Sequence, residues 1–301
     1  METLDLRSHS FWHSSDTVVL ANPRDLVAVD EAEVIRSWIP SQAELSGHML
    51  FRTSGSTGKG KWVALSKRAL LASAQAVNEF LGSTPSDRWL RALPLFHVGG
   101  MGIAARAFLV GCDVYDLDAK WDVRNFYSYL GDQKITLTSM VPSQLADLVA
   151  LKLISPADLR AVLIGGGRLS DKTYQQAIEL GWPIRETYGM SETSSQVATS
   201  ESGRRDLKIL PIWQVQSDDS GKLELSGPPL LTGYVDCENG QCFLEDLRDS
   251  GWLVTNDLGY VEGENLVVRG RVDRCVKVLG ELINLADVED CLLYTSPSPR
   301  D

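Results

Sequence analysis

The sequence predicts an α/β fold, in which a parallel sheet carries helices on both faces and a smaller antiparallel β subdomain follows. Between residues 130 and 190, apolar strand-like runs alternate with amphipathic helical segments, which is the pattern of βαβ units. From 209 to 270 the pattern changes to short strand-like runs separated by glycine, asparagine and aspartate turns. The glycines at 165–167 and the polar stretch at 187–192 each follow a strand-like run. We therefore expect ligands to bind at the carboxyl edge of the parallel sheet.

A glycine- and hydroxyl-rich loop stands between two short predicted strands near the start of the chain. "HMLFRT" (48–53) and "WVAL" (62–65) are the strands, and "SGSTGKGK" (54–61) is the loop. Within it, Gly55 to Lys61 reads G-x-x-x-x-G-K, which is most of a P-loop signature. A Walker loop continues with Ser or Thr and enters a helix, whereas Trp62 follows here and begins a strand. The pattern favours a phosphate-binding loop of another kind over a kinase-type P-loop.

The helices expected around the sheet carry recognisable start and stop signals. Ser66 is predicted to cap a helix over 67–81, with Gly82 at its C-terminal end. Ser143 and Ser170 are expected to cap two later helices. These signals place the loop and the glycine motifs between regular elements.

Composition excludes several classes of function. With 44% hydrophobic and 23% charged residues, the chain can build a sizeable core. The net charge is −11 and no basic stripe is present, so nucleic acid is not an expected partner. No apolar run reaches the roughly 18 residues that a membrane span needs. The five cysteines are scattered without a C-x-x-C, so neither a disulfide framework nor a zinc site is expected, and a cytoplasmic location is predicted.

Two further segments offer chemically useful side chains, and each has a simpler structural interpretation. His97 stands alone among small apolar residues in "PLFHVGG" (94–100), where a histidine is more often structural. "ETYGMSE" (186–192) offers an aromatic ring, a hydroxyl donor at Ser191 and a hard oxygen ligand suited to Mg²⁺ at Glu192. By itself that segment is compatible with any exit from a strand into a loop.

Taken together and in this order, the motifs resemble those of the adenylate-forming superfamily of acyl-CoA synthetases, luciferases and peptide-synthetase adenylation domains. "TSGSTGKGK" (53–61) resembles its phosphate loop, and "YGMSE" (188–192) matches its Y-G-x-[ST]-E motif. "TNDLG" (255–259) corresponds to its T-G-D-x-G motif, with Asn256 in place of glycine. "GRVDRCVKVLGELINLADVE" (270–289) is similar to its hinge segment and the strand that follows.

Within that superfamily, the resemblance is strongest to the o-succinylbenzoate–CoA ligases of menaquinone biosynthesis. It is carried by "LPLFHVGGMGI" (93–103), "TLTSMVPSQLADLV" (136–149) and "AVLIGGGRLS" (161–170), and by the short distance before the phosphate loop. Two alternatives stay open: a CoA ligase for another aryl or acyl acid, and a nucleotide-binding fragment with impaired catalysis.

The resemblance implies an AMP-forming acid–thiol ligase that works in two half-reactions. A small carboxylic acid attacks the α-phosphorus of ATP to give an acyl-adenylate and pyrophosphate, and coenzyme A then displaces AMP. Mg²⁺ is the implied metal ion. The oligomeric state is left open, with a homodimer as one option.

The resemblance also implies a role for individual residues. The catalytic set is His97 at the acyl pocket, Ser191 on the α-phosphate, Glu192 on Mg²⁺, and Lys59 and Lys61 on the phosphates. The nucleotide-binding set comprises Thr53, Ser54, Gly55, Ser56, Thr57 and Gly58 in the loop, Gly165, Gly166, Gly167, Glu186, Thr187, Tyr188, Gly189 and Met190 around the adenine, and Asp257, Arg271 and Asp273 at the ribose and hinge.

The same resemblance divides the chain at the hinge. Residues 1–270 correspond to the large N-terminal adenylation domain, and 271–301 to the hinge and the start of a truncated C-terminal domain. The superfamily carries a late catalytic lysine after the hinge, whereas the only lysine after Asp273 is Lys277, within the hinge motif. The tail from about 291, "LLYTSPSPRD" with Leu292 as its first residue, is atypical. We expect the chain to be a truncated form that adenylates poorly.

Overall fold

The structure is a computed structural model. It describes residues 4–53, 60–117, 120–238, 240–247, 251–278 and 281–284, with side chains described as far as Asp273. The predicted tail and six predicted loop residues lie outside the described residues; the loop residues are Ser54, Gly55, Ser56, Thr57, Gly58 and Lys59.

The described helices confirm most of the predicted boundaries. Ser66 accepts a hydrogen bond from the amide of Ala69 at the start of α3, and Gly82 ends that helix in the left-handed conformation. Ser170 caps α7 in the same way. The helices are α1 (His9–His13), α2 (Leu26–Trp38), α3 (Lys67–Leu81), α4 (Val98–Val110), α5 (Val123–Asp132), α6 (Pro142–Ala150) and α7 (Asp171–Glu179), with 3₁₀ turns at Ile39–Ser41, Ala43–Leu45, Ser191–Thr193 and Val272–Arg274.

One predicted cap is wrong by two residues. Helix α6 begins at Pro142, and Val141 rather than Ser143 occupies the N-cap position. Proline suits the first helical position because its missing amide would have no partner there. The side chain of Gln144, at the third helical position, accepts a hydrogen bond from the Val141 amide at 3.0 Å and so satisfies the amide of the N-cap residue.

The first sheet contains the predicted strand–loop–strand unit. Strands β2 and β3 are antiparallel, and Arg52 pairs with Trp62 at the end next to the loop. The amide of Thr53 donates to the carbonyl of Lys61 at 2.8 Å, which closes the base of the loop. Among the described residues the strand order is β1 (Val18–Leu20), β2 (His48–Arg52), β3 (Trp62–Ser66), β13 (Gly233–Glu238) and β14 (Gln241–Asp246).

The second sheet is parallel in one half and antiparallel in the other. Strands β5, β4, β6, β7 and β8 are parallel. The alternating pattern over 130–190 predicted β6, β7 and β8, whereas β4 and β5 lie before it. In the described residues the order is β11 (Gln214–Ser217), β12 (Lys222–Ser226), β15 (Leu253–Glu262), β16 (Asn265–Arg271), β10 (Leu207–Ile209), β9 (Ala198–Ser200), β8 (Ile184–Tyr188), β7 (Ala161–Ile164), β6 (Leu137–Met140), β4 (Arg88–Arg91) and β5 (Asp113–Asp116), and β17 (Cys275–Val278) pairs with β18 (Glu281–Asn284) as a separate hairpin.

The antiparallel strands predicted after residue 209 are present, and the structure shows how they attach. They continue the parallel sheet because β8 pairs with β9 through Thr187 and Thr199. Strands β13 and β14 instead return to the first sheet, where Val235 pairs with Trp62. The later part of the chain is therefore built into both sheets.

Helices α3 and α4 lie between the two sheets. Leu70 and Ala74 of α3 pack in a core cluster with Phe51 of the first sheet. Val77 and Leu81 of the same helix belong to a second cluster with strands of the other sheet. Helix α2 covers the outer face of the first sheet, and α5, α6 and α7 cover the outer face of the second. Each fully buried Leu or Val side chain contributes about 1.5–3 kcal/mol to folding.

The expectation that the cysteines form no disulfide is wrong for one pair. Cys237 of β13 and Cys242 of β14 stand directly opposite each other and are joined by a disulfide. Antiparallel pairing brings the side chains of opposite residues close together, and spacing along the chain did not reveal that register. Cys112 is a free, half-buried thiol whose pKa burial raises to about 11. Among the described helices, none has the length and apolar character required to cross a bilayer.

Candidate functional site

Two predicted motifs meet at the carboxyl edge of the parallel sheet. Ile164 at the end of β7 pairs with Glu186 of β8, so Gly165 lies beside Thr187. The hydroxyl of Thr187 donates to the carbonyl of Ile164 at 3.0 Å. A side chain at Gly165 would come within 2.7 Å of that hydroxyl, so glycine lets the two strand ends approach. Gly165 to Gly167 thus directly follow β7, and Tyr188 ends β8, the neighbouring strand.

The loop after β8 folds back tightly on itself. A β-carbon at Gly189 would lie 1.6 Å from the carbonyl oxygen of Ser195, so only glycine fits there. The Thr193 hydroxyl accepts a hydrogen bond from the amide of Met190 at 3.0 Å. These contacts hold the 3₁₀ turn that carries Ser191 and Glu192. Both predicted functional side chains therefore project from a constrained turn.

Glu192 and Lys61 both contact one residue that the sequence analysis did not select. The hydroxyl of Tyr234 donates to Oε1 of Glu192 at 3.1 Å. The Nζ atom of Lys61 lies 4.5 Å from the centroid of the Tyr234 ring. Desolvation, followed by the charge of Glu192, raises the pKa of Tyr234, so its hydroxyl is a neutral donor. The phosphate-loop lysine and the predicted metal ligand thus share one aromatic neighbour.

A second group of contacts joins the predicted ribose residues. The Tyr188 hydroxyl donates to Oδ2 of Asp257 at 2.7 Å, and Asp257 is only 8% exposed. Arg271 stands opposite Asp257 across β15 and β16, with Nη1 3.6 Å from Oδ1. Arg271 also donates to both carboxylate oxygens of Asp273, at 2.9 and 3.0 Å. Tyr188, Asp257, Arg271 and Asp273 form one connected set.

Electrostatics connects this set with the Glu192 turn. The hydrogen bond to Asp273 raises the pKa of Arg271, and the charges of Asp257 and Glu192 act in the same direction. Desolvation and the charge of Asp257 raise the pKa of Tyr188, which keeps its hydroxyl protonated. Among the described residues, Glu192 of the turn therefore lies close enough to Arg271 for their charges to interact.

Glu186 is engaged by the protein itself. The Arg205 guanidinium donates to both of its carboxylate oxygens, at 2.5 and 3.0 Å. The same guanidinium contacts Asp171 and donates to the carbonyl of Leu169 at 2.8 Å. This arrangement ties β8 to the segment after the three glycines, and a contact of Glu186 with nucleotide stays a prediction.

His97 occupies the N-cap position of α4, away from the hydrogen bonds just described. Its side chain makes no capping bond, and its ring centroid lies 4.7 Å from that of Phe96. The imidazole is exposed, yet the surrounding protein desolvates the charged form and lowers its pKa. In the part of the chain that is described, no hydrogen bond links His97 to Ser191 or Glu192. Its place at the acyl pocket stays a prediction.

The side chains fit a magnesium ion that is held mainly by substrate phosphates. Among the described residues, no group of three or more His, Cys, Asp or Glu could hold a metal ion. Mg²⁺ is commonly bound through one or two carboxylates together with phosphate oxygens. Glu192, with Tyr234 on one oxygen only, matches that kind of site.

A comparison with protein families matches residues 17–233, from β1 to the start of β13, to the model described as AMP-binding enzyme. The chain belongs to this AMP-binding family. The matched region holds the phosphate loop, the three glycines, the Glu192 turn and Arg106. Asp257 and Arg271 lie beyond it.

Relatives within the family include proteins named as ligases and solved structures. The chain is 30% identical to the 2-succinylbenzoate–CoA ligase of Bacillus cereus (strain Q1), over 95% of this chain and 65% of that protein. It therefore spans less than two-thirds of that relative. The fold is similar to o-succinylbenzoate CoA synthetase from Bacillus subtilis in complex with AMP, with a TM-score of 0.70 and 29% identity, over 82% of this chain and 54% of that one. The fold is also similar to the Bacillus subtilis enzyme in complex with ATP and magnesium ion, with a TM-score of 0.72 over 93% of this chain and 74% of that one. The identity in that comparison is 23%, so it shows the similarity of the fold alone.

Arg106 of α4 is a second residue that the sequence analysis missed in this AMP-binding chain. It is 1% exposed, and among the described residues no carboxylate forms an ion pair with it. Its Nη2 atom donates to the Ser195 hydroxyl at 3.2 Å, while its Nε has no partner. Burial lowers its pKa to about 10. A lone arginine within the apolar helix "VGGMGIAARAFLV" was the signal that could have revealed it.

Glycine at position 102 leaves room beside this guanidinium. A β-carbon there would lie 3.2 Å from Nη2 of Arg106 and 3.7 Å from Cβ of Ser195. The Cζ atom of Arg106 lies 5.7 Å from the Trp89 ring centroid. The cation is therefore held between an aromatic ring and the loop that carries Glu192.

Proposed function

We propose that this chain carries the adenylating site of an o-succinylbenzoate–CoA ligase. The observation that carries the proposal is Arg106, a buried guanidinium without a carboxylate partner among the described residues. A buried charge without a counter-ion is costly to a protein, and a ligand that neutralises it gains affinity. o-Succinylbenzoate has two carboxylates, so one remains anionic when the other is activated. The names of the relatives support the same acid.

In the proposed first half-reaction, the acid attacks the α-phosphorus of ATP and pyrophosphate leaves. Two anions must meet, so catalysis depends on positioning and on neutralising charge. Lys61 would contact the phosphates and Ser191 would donate to the α-phosphate. Bound Mg²⁺, held by Glu192, would supply further positive charge to the phosphate oxygens. Arg106 would hold the second carboxylate of the acid.

The nucleotide would lie along the edge formed by β7 and β8. Gly165 to Gly167 and the Tyr188 ring would flank the adenine, and Asp257 and Arg271 would bind the ribose. In the second half-reaction, coenzyme A displaces AMP, and His97 would lie beside the acyl group on that route. The lowered pKa of His97 keeps its imidazole neutral, so it adds no charge there near pH 7.

Binding of acyl-adenylate analogues tests this proposal without requiring turnover. We would titrate the 301-residue chain with sulfamoyl-adenosine analogues that carry either the o-succinylbenzoyl or the benzoyl group. The o-succinylbenzoyl analogue should bind more tightly by about 10- to 100-fold, because a hydrogen-bonded charge contributes about 1.5–3 kcal/mol. Arg106→Gln should abolish most of this difference and leave the benzoyl affinity nearly unchanged.

Arg185→Gln is the matched control, since Arg185 is also an arginine stacked near an aromatic ring, Phe80, but lies outside the site. It should preserve the preference between the two analogues. Equal affinity of the wild-type chain for both analogues would overturn the assignment of the acid and favour another aryl or acyl ligase.

A further inference from the structure

We propose that Tyr234 is a positioning residue, which holds Glu192 and Lys61 apart and in fixed orientation so that one can bind Mg²⁺ and the other phosphate. The inference rests on the proposed adenylating function. It adds a residue from β13, a strand that none of the predicted nucleotide-binding motifs includes.

One side chain makes both contacts through different parts of its ring. The hydroxyl donates to Oε1 of Glu192 at 3.1 Å, and Nζ of Lys61 lies 4.5 Å from the ring centroid. That second distance is within the range of a cation–π interaction. Because each contact uses a separate feature of Tyr234, the hydroxyl contact can be removed while the ring contact is kept.

The sheet holds Tyr234 firmly in place. It pairs with Val63 of β3 on one side and with Glu245 of β14 on the other. A β-carbon at the preceding residue, Gly233, would lie 2.1 Å from the Glu245 carbonyl oxygen, so the strands are closely packed there. The backbone that carries the ring is therefore constrained from both sides.

The Glu192 turn is anchored to the same segment. The amide of Leu231 donates to the carbonyl of Glu192 at 2.8 Å, three residues before Tyr234. Lys61 directly precedes β3, the strand with which Tyr234 is paired. The backbone segments that carry Tyr234, Glu192 and Lys61 are thus joined to one another.

The contacts have distinct chemical consequences. The Tyr234 hydroxyl engages one oxygen of Glu192, and within the described residues no hydrogen bond occupies Oε2, which leaves that oxygen for Mg²⁺. The ring lies next to the Lys61 ammonium, and no ion pair joins Lys61 to Glu192 among the described side chains. A direct pair would neutralise both groups before the metal ion and the phosphates arrive.

The test compares Tyr234→Phe with Tyr234→Leu in ATP binding at a series of Mg²⁺ concentrations, without any acid. Tyr234→Phe keeps the ring and loses the hydroxyl. It should raise the Mg²⁺ concentration for half-maximal ATP binding about tenfold, as expected for one hydrogen bond to a charged group, and leave binding without Mg²⁺ unchanged. Tyr234→Leu should in addition weaken ATP binding without Mg²⁺, because Lys61 loses its aromatic neighbour.

Tyr260→Phe is the matched control. Tyr260 lies on β15, also with a cation over its ring, since Cζ of Arg269 is 4.9 Å from the centroid. Its loss of a hydroxyl should leave the Mg²⁺ dependence as in the wild type. An unchanged Mg²⁺ dependence in Tyr234→Phe, or a loss of ATP binding that is the same at every Mg²⁺ concentration, would overturn the inference.

The result of this ATP and Mg²⁺ titration can be distinguished from the result of the test with acyl-adenylate analogues. Selectivity between the two acyl-adenylate analogues depends on Arg106, whereas this titration contains only ATP and Mg²⁺. A chain that shows the expected Mg²⁺ shift and no preference for the o-succinylbenzoyl analogue would retain the role of Tyr234 and lose the proposed substrate.

Discussion

At the scale of single residues, burial decides which charges are available for chemistry. Arg106 and Glu186 illustrate the contrast. Glu186 has both carboxylate oxygens occupied by Arg205, so the protein itself satisfies its charge. Arg106 is more deeply buried, and among the described residues its guanidinium contacts the Ser195 hydroxyl and the Trp89 ring but no carboxylate. An anionic ligand would gain more affinity by binding a residue such as Arg106 than a cation would by binding Glu186, because no carboxylate among the described residues neutralises Arg106.

The lowered pKa of His97 leads to a prediction about pH. Its imidazolium is desolvated, so the folded state should favour the neutral ring below the ordinary pKa of 6.5. The unfolded chain then binds more protons than the folded one, and stability should fall as pH drops below that value. NMR titration should give a pKa below 6.5 for this histidine, with His97→Gln used to assign the resonance. A measured pKa at or above 6.5 would contradict the expected desolvation.

At the scale of single elements, the loop after β8 depends on backbone approach more than on side-chain contacts. Its chain reverses so closely that Gly189 and Ser195 are in contact through the backbone. Ser191 and Glu192 stand between these two positions, so their orientation follows from the reversal. The motif therefore needs glycine for its shape as well as the hydroxyl and the carboxylate for its chemistry.

Gly189→Ala is expected to disrupt this element. The new methyl group would meet the Ser195 carbonyl, so the turn must shift, and Mg²⁺-dependent ATP binding should fall by at least tenfold, with a loss of about 1–3 kcal/mol in stability. Gly131→Ala in α5 is the control, since nothing lies within 4 Å of its added carbon. Calorimetry and chemical denaturation would measure both effects. Normal ATP binding in Gly189→Ala would show that the turn tolerates a side chain.

At the scale of the whole molecule, α3 connects the two sheets. Its Leu70 packs with the first sheet, and its Leu81 packs with the second. Lys61, Trp62 and Tyr234 lie in or next to the first sheet, while the Glu192 turn follows β8 and Asp257 lies in β15 of the second. The proposed site therefore lies where both sheets contribute, and its geometry depends on the packing of α3 between them.

This packing predicts a single unfolding transition. Leu70→Ala and Leu81→Ala should each cost about 2–5 kcal/mol, because both side chains are almost fully buried. Each variant should lower the midpoint of one cooperative transition, although the two residues contact different sheets. Thermal unfolding followed by circular dichroism and by tryptophan fluorescence would test this. Two transitions in either variant would indicate that the sheets unfold independently.

The sequence by itself determined the elements whose signals are local. Strand alternation predicted β6, β7 and β8 of the parallel half, Ser66 and Gly82 marked the ends of α3, and the order of the motifs indicated the AMP-binding family. These signals act over a few residues along the chain, so they can be read without a structure.

Only the tertiary structure decided which distant residues meet. The contact of Tyr234 with Glu192 and Lys61 depends on the register of β13 against β3, and the Cys237–Cys242 pair depends on the register of the next hairpin. The burial of Arg106 depends on α4 packing against Trp89 and Ser195. Register and packing are set by the fit of whole surfaces, and no short stretch of sequence encodes that fit.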